Sequence, residues 1–195
     1  MPKYTVRTMK LSELKGFYQH IKKDFLPGEY APYAVLYQQL QNGVQEGLVL
    51  CDRSRDLAYA ICAAGNENGY VLISLLAVLE DYRGQGIGTA FMKKLHEIYR
   101  HKQAIIVEVE KPELSETPEE LDDRNGRIAF YERLGYHLIP GIDYSIWDVP
   151  MHLMALPISI SEEIIDQKIG EIMHRVYLGL MGEQFIHKMQ LSVKE

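Results

Sequence analysis

Residues 80–91 read EDYRGQGIGTAF, with Gly84, Gly86 and Gly88 at every second position behind Arg83. Glycine costs about 0.5–1 kcal/mol relative to alanine inside a helix or strand. Three of them so close together mark a turn whose bare backbone must touch something. The chemistry open to such a stretch is anion binding. The first N–H groups of a helix have no partner inside it, and that end of the dipole is positive. Glycines let a phosphate approach those groups with no Cβ in the way, and Arg83 adds a charged fork that suits phosphate. A second constellation lies in AIIVEVE, residues 104–110. Glu108 and Glu110 alternate with Val107 and Val109, which places both carboxylates on one face of a strand. Both cannot be buried in an apolar core, and a carboxylate pair raises one pKa toward a range useful to a base.

The elements that must position these groups follow from periodicity. Residues 3–9 alternate as a strand. Leu11, Leu14, Phe17, Tyr18, Ile21 and Phe25 recur at helical spacing until Pro27-Gly28. A short helix spans about 32–42. Residues 46–52 and 57–64 pair as a hairpin around RSR, and NENG at 66–69 turns the chain again. YVLISLLAVL, residues 70–79, is a long apolar run and reads as a central strand buried on both faces. The glycine turn leads into a helix from about 86 to 102 with Ile87, Phe91, Leu95 and Ile98 as its stripe. After the strand at 104–110 comes an acidic loop, KPELSETPEELDDRNG, then a helix at about 125–134 that stops at Gly135. Late strands lie at 136–139 and 151–156, around a loop that holds Trp147. Ser161 is placed as an N-cap with Glu162 and Glu163 in the first turn. From there Ile164, Ile165, Ile169, Ile172, Met173, Val176, Tyr177, Leu180 and Met181 form one apolar stripe, which must be buried on the domain or on a partner chain in a homodimer.

Composition sets the outer bounds. At 195 residues, 47% hydrophobic and 25% charged, the chain is a soluble globular domain with an appendage, divided here as 1–158 and 159–195. A net charge of −6 excludes a basic nucleic-acid footprint. Cys51 and Cys62 have no metal-ligand spacing, so no metal site is expected, and they read as two buried thiols on neighbouring strands. MPKYTVRTMK is not a signal peptide, and no run approaches the ~18 apolar residues of a membrane span. A cytoplasmic protein follows.

Three ligands compete for the glycine turn. A Rossmann fingerprint needs G-x-G-x-x-G and an acidic residue about 20 positions on. Glu108 suits the second requirement, but the third glycine falls on Thr89 or Phe91. A Walker A loop lacks its Gly-Lys-Ser/Thr. A tight turn alone is the plainest reading. The third ligand is the pyrophosphate of coenzyme A. LAVLEDYRGQGIGTAFMKKL resembles the central motif of the GNAT superfamily of acyl-CoA N-acyltransferases, with the pattern Arg/Gln-x-x-Gly-x-Gly/Ala filled by Arg83, Gly86 and Gly88. RIAFYERLGY, residues 127–136, resembles that family's later motif, and the strand order from residue 3 to about 157 agrees. The resemblance implies an α/β fold of GNAT type: a central, strongly twisted mixed sheet of about seven strands flanked by helices, with an extra C-terminal helix beyond the match.

The resemblance also implies roles. Main-chain groups at Leu76, Ala77 and Val78 line the pantetheine arm of acetyl-CoA, the co-substrate. Arg83, Gly84, Gln85, Gly86, Ile87, Gly88 and Thr89 cradle the pyrophosphate. The family often has Asn seven residues before the Tyr of its later motif; here Arg124 stands there and Asn125 follows, so the cofactor contact falls on Asn125 with an offset of one. Tyr131 is the general acid toward the leaving sulfur. Glu108 is the base, in the place where ribosomal-protein N-terminal acetyltransferases of the family carry Glu, with ordered water as the other option. The reaction implied is acetylation of a primary amine on a small molecule or protein. The acidic run at 111–124 favours a cationic acceptor if it rims the cleft, and is otherwise a solvated loop. A non-catalytic acyl-CoA-binding module on the same fold is the alternative.

Overall fold

The computed structural model describes residues 4–64 and 69–194 of the chain, which leaves most of the turn expected at 66–69 outside the described residues. The chain divides into two compact units, one holding residues up to 64 with 71–100, the other holding 69–70 with 101–194. Both mix helices and strands, as the α/β class requires.

The first unit is an antiparallel meander of β1 (Thr5–Thr8), β2 (Glu46–Asp52), β3 (Arg55–Ala63) and β4 (Tyr70–Val78). Cys51 of β2 and Cys62 of β3 are both buried free thiols. Helix α1 (Leu14–Asp24) buries Leu14, Phe17 and Ile21, and α2 (Tyr33–Gln41) buries Leu36. These meet Val49, Tyr59, Ile61 and Leu75 in one core cluster. Each such side chain taken from water contributes about 1.5–3 kcal/mol. Ile61 pairs with Leu75 but Cys62 with Ile73, so Ser74 is an extra residue in β4. This bulge bends the strand, and the Ser74 hydroxyl accepts from the buried Gln45 amide at 3.1 Å. Beyond the bulge β4 departs from the expected two-sided burial: Leu76, Ala77 and Val78 are half-exposed. Helix α3 (Ile87–Tyr99) buries Ile87, Phe91, Met92, Leu95 and Tyr99. The stripe ends on Tyr99, whose hydroxyl donates to Glu46 at 2.9 Å, and the expected Ile98 points to solvent.

The second unit is built on β5 (Ala104–Glu110), which pairs antiparallel with β8 (Val149–Pro157). β8 also pairs with the short β6 (His137–Leu138) and with β7 (Ile142–Ile146). Among the described residues there are nine strands rather than seven. One addition is β7, whose hairpin with β8 turns on Trp147 and Asp148, both at positive φ. The other is β9 (Met189–Val193), which pairs with β7. Residues 159–194, read from the sequence as an extension, thus fold into this unit. Helix α5 (Glu162–Phe185) starts at Ser161, though without a side-chain cap bond, and breaks at Gly182 (φ 69°). Its Ile165, Ile169, Ile172, Met173, Val176 and Tyr177 are buried by the chain itself.

The acidic run is mostly helix, not loop. α4 spans Pro118–Glu132, seven residues earlier than expected. The Thr117 side chain caps it by accepting from the Glu120 N–H, Pro118 opens it, and Glu119 and Glu120 sit in the first turn. Proline at that position lacks only an N–H that has no helical partner anyway, and carboxylates there favour the dipole. No described helix is long and apolar enough to cross a membrane.

Candidate active site

In the first unit β4 runs through a single 3-10 turn, Glu80–Tyr82, to the glycines. Gly84 and Gly86 have φ of 71° and 75°. Only glycine enters that region without a Cβ penalty. A Cβ added at either would meet no heavy atom within 4 Å. Packing therefore does not demand glycine there; the backbone sign does, and open space is left for a ligand. Gly86 is the N-cap of α3, and Ala90 N–H to Gly86 C=O at 3.0 Å is the first bond of that helix. The N–H groups of Ile87, Gly88 and Thr89 come before it, and no side chain caps that end. Gly88 lies within the first turn of the helix and is half-buried. The sequence-predicted stretch from Gly84 to Thr89 is one continuous turn and uncapped helix start, a geometry that suits an anion.

Arg83 differs from its expected use. Its Nε donates to the Val78 carbonyl at 3.0 Å and its Nη2 to Asp24 of α1 at 2.6 Å. Asp24 also accepts from the Tyr59 hydroxyl at 3.0 Å. Burial and the Asp24 charge hold that phenol well above its ordinary pKa, so it stays a donor. The guanidinium thus ties the end of β4 and the turn to α1, a structural link 59 residues long in sequence that spacing does not reveal.

In the second unit Glu108 and Glu110 do share one face of β5: Val107 and Val109 are buried while both glutamates are half-exposed. They do not act as a carboxylate pair. Glu110 is drawn to Arg127 and, at 3.7 Å, to Arg124, both on α4. Arg124 also donates to the Lys111 carbonyl at 2.9 Å. Oε1 of Glu108 accepts from two hydroxyls. Tyr144 of β7 and Tyr177 of α5, at 2.7 Å, both donate to its Oε1. Burial, then the charge of Glu108, pushes both phenols far above their usual pKa. Neither tyrosine was singled out by chemistry in the sequence; Tyr177 stood only in the apolar stripe.

Tyr131 lies in the last turn of α4 at 7% exposure. Its ring packs edge-on against Tyr136, centroids 5.3 Å apart. Its carbonyl accepts from the Leu134 and Tyr136 N–H just past the helix end at Glu132, where Gly135 turns the chain at φ 91°. Asn125 is on α4 and exposed. Of the acidic residues nearby, Glu113 faces His152 at 3.0 Å and Glu120 faces Arg124 at 3.7 Å, while Glu116, Glu119, Asp122 and Asp123 are exposed.

Comparisons with known proteins bear on the family and the fold. Residues 45–138 match the family description of the acetyltransferase (GNAT) domain, from β2 through α4 to β6. The chain is 30% identical over 128 residues to N-alpha-acetyltransferase 30 of Schizosaccharomyces pombe, covering 63% of this chain and 77% of that one. A GNAT-family protein from Bacteroides thetaiotaomicron has the same fold, with TM-score 0.74, 20% identity and coverage of 91% of this chain and 98% of the other. So does the ribosomal-protein-S18-alanine N-acetyltransferase of Escherichia coli, with TM-score 0.59, 23% identity and coverage of 82% and 97%.

Proposed function

This chain belongs to the GNAT acetyltransferase family, and we propose that it transfers an acetyl group from acetyl-CoA to a primary amine, the α-amine of a protein N-terminus. The observation that carries the first half is the glycine turn. Two left-handed glycines lead into a helix start with no side-chain cap and open space above it. Those features suit a diphosphate. The α-amine reading draws on the likeness to an N-alpha-acetyltransferase over most of that relative's length.

When bound, acetyl-CoA supplies the activated acyl group; the chain's own residues do the rest. Amides of Gly84 to Thr89 bind the diphosphate, and main-chain groups of Leu76 to Val78 hold the pantetheine arm. A main-chain N–H of that strand end would stabilise the negative charge that grows on the thioester oxygen. Asn125 is placed beside the cofactor by the offset motif. An α-amine titrates near 8 and must lose a proton before it attacks. Glu108, directly or through ordered water, takes that proton, and Tyr131 gives one to the departing sulfur.

The test is release of coenzyme A thiol against a set of amines. The account expects turnover on a peptide with a free N-terminus and none on the same peptide N-terminally blocked but bearing lysine. Turnover only on lysine or a polyamine would overturn the α-amine acceptor and leave the enzyme. Binding of acetyl-CoA without turnover on any amine would favour a non-catalytic module. Rates on cationic acceptors that fall steeply with salt would give the exposed acidic residues of α4 a steering role.

A further inference from the structure

Glu108 is held from two sides by elements far apart in sequence. Tyr144 comes from β7, which lies just past the GNAT-domain match, and Tyr177 from α5, 39 residues beyond its end at 138. Both hydroxyls meet the same oxygen, Oε1. Tyr144 is 1% exposed and Tyr177 7%. A buried phenol without a partner costs about 1–3 kcal/mol, so each of these needs an acceptor. The acceptor provided is a carboxylate on a strand whose alternate residues are core valines. Cations would satisfy a carboxylate more strongly, as Arg124 and Arg127 do for Glu110 one pleat away. At Oε1 of Glu108 the donors from β7 and α5 are neutral hydroxyls, and together they fix the position of that oxygen.

We propose that Tyr144 and Tyr177 are positioning residues for Glu108, which makes the C-terminal helix part of the catalytic apparatus as well as of the core. The proposal rests on the reading of Glu108 as base. The two phenols clamp Oε1, so the carboxylate has one orientation when the acceptor amine arrives. Burial and the adjacent carboxylate keep both phenols in the protonated, donating form. Around it stand Leu153 of β8, opposite Glu108 in register, and Glu110 on its own strand with Arg124 and Arg127 of α4.

The experiment is a double-mutant cycle of Tyr177→Phe with Glu108→Gln, repeated with Tyr144→Phe. It is read by kcat, by KM for acetyl-CoA and by the infrared stretch of the Glu108 carboxylate, assigned by difference against Glu108→Gln. Loss of one clamp is expected to lower kcat about tenfold, the cost of one hydrogen bond to a charged group, with KM for acetyl-CoA unchanged and the carboxylate band displaced. In the Glu108→Gln background the same tyrosine change is expected to have no further effect on kcat. An equal loss in both backgrounds, or an unmoved carboxylate band, overturns the positioning role and leaves the tyrosines as packing. A Glu108→Gln enzyme at full rate overturns the base itself, and the band shift then reports separately on whether the clamp exists.

Discussion

Gly86→Ala separates the two things the glycine turn does. At φ 75° an alanine strains the backbone by about 1–2 kcal/mol. No neighbour lies within 4 Å of the new methyl, so no packing penalty adds to that strain. For a chain of 195 residues each kcal/mol lowers Tm by about 2–4 °C, which sets the expected drop at about 2–8 °C and leaves the chain folded. On the proposed binding mode the methyl group stands in the path of the diphosphate to the amides at the start of α3. Loss of one hydrogen bond to a charged group costs about 1.5–3 kcal/mol, or about 10- to 150-fold in affinity. Calorimetry with coenzyme A, which cannot turn over, reads this directly. Gly16→Ala is the control. Gly16 is an exposed α1 residue with open space and no positive φ, so coenzyme A affinity is expected to stay the same and Tm to rise slightly. A Gly86→Ala chain that loses several degrees yet binds coenzyme A within twofold of wild type would refute the reasoning, because strain would then be the turn's whole story.

Three further outcomes are expected. Burial holds His96 of α3 below its ordinary 6.5; the unfolded chain therefore takes up more protons as pH falls through that range, and stability drops with it. Urea midpoints are expected to decline from about pH 7.5 to about pH 5.5 and to decline less in His96→Gln, whereas parallel slopes would remove His96 as the cause. Burial raises the Cys51 thiol and pushes Cys62 up to about 12, so a disulfide reagent is expected to find little reactive thiol in the native chain and two after denaturation; rapid native reaction would contradict the burial of β2 and β3. Arg83→Ala removes the 2.6 Å link to Asp24 and the tie to the Val78 carbonyl. Arg83 is exposed but the Asp24 side chain is only 8% exposed, so removing the guanidinium takes a charged hydrogen bond from a buried carboxylate and is expected to cost about 1–3 kcal/mol, while coenzyme A binding weakens as the turn loosens. Unchanged binding would confine Arg83 to stability.

What could be read from the sequence was what local pattern controls. The helical stripe after Gly86, the long apolar run of β4 and the alternation of β5 each rest on neighbours along the chain, and so does the reading of Cys51 and Cys62 as buried thiols on neighbouring strands. The start of α4 was also present locally, as Thr117-Pro118-Glu119-Glu120, an N-cap followed by proline and acids; the density of charge made it read as a solvated loop. β7 was hidden because its hairpin turns on Trp147 and Asp148 in left-handed conformations, without the Asn-Gly pair that advertises such turns. β9 is a short, largely exposed strand whose only reason to extend is the free side of β7. The site divided in the same way. The glycine turn and the start of α3 are local objects and were legible whole. The partners of Glu108, the capture of Glu110 by two arginines and the tie from Arg83 to Asp24 are long-range pairings that no spacing rule encodes.

The central claim is that the amides opening α3 bind the diphosphate of acetyl-CoA. Titration of the isotopically labelled protein with coenzyme A, followed by amide nuclear magnetic resonance, tests it most directly. The account predicts that the Gln85, Gly86, Ile87, Gly88 and Thr89 signals move first and furthest. Signals that stay in place at saturation, while amides elsewhere in the chain shift, would contradict it.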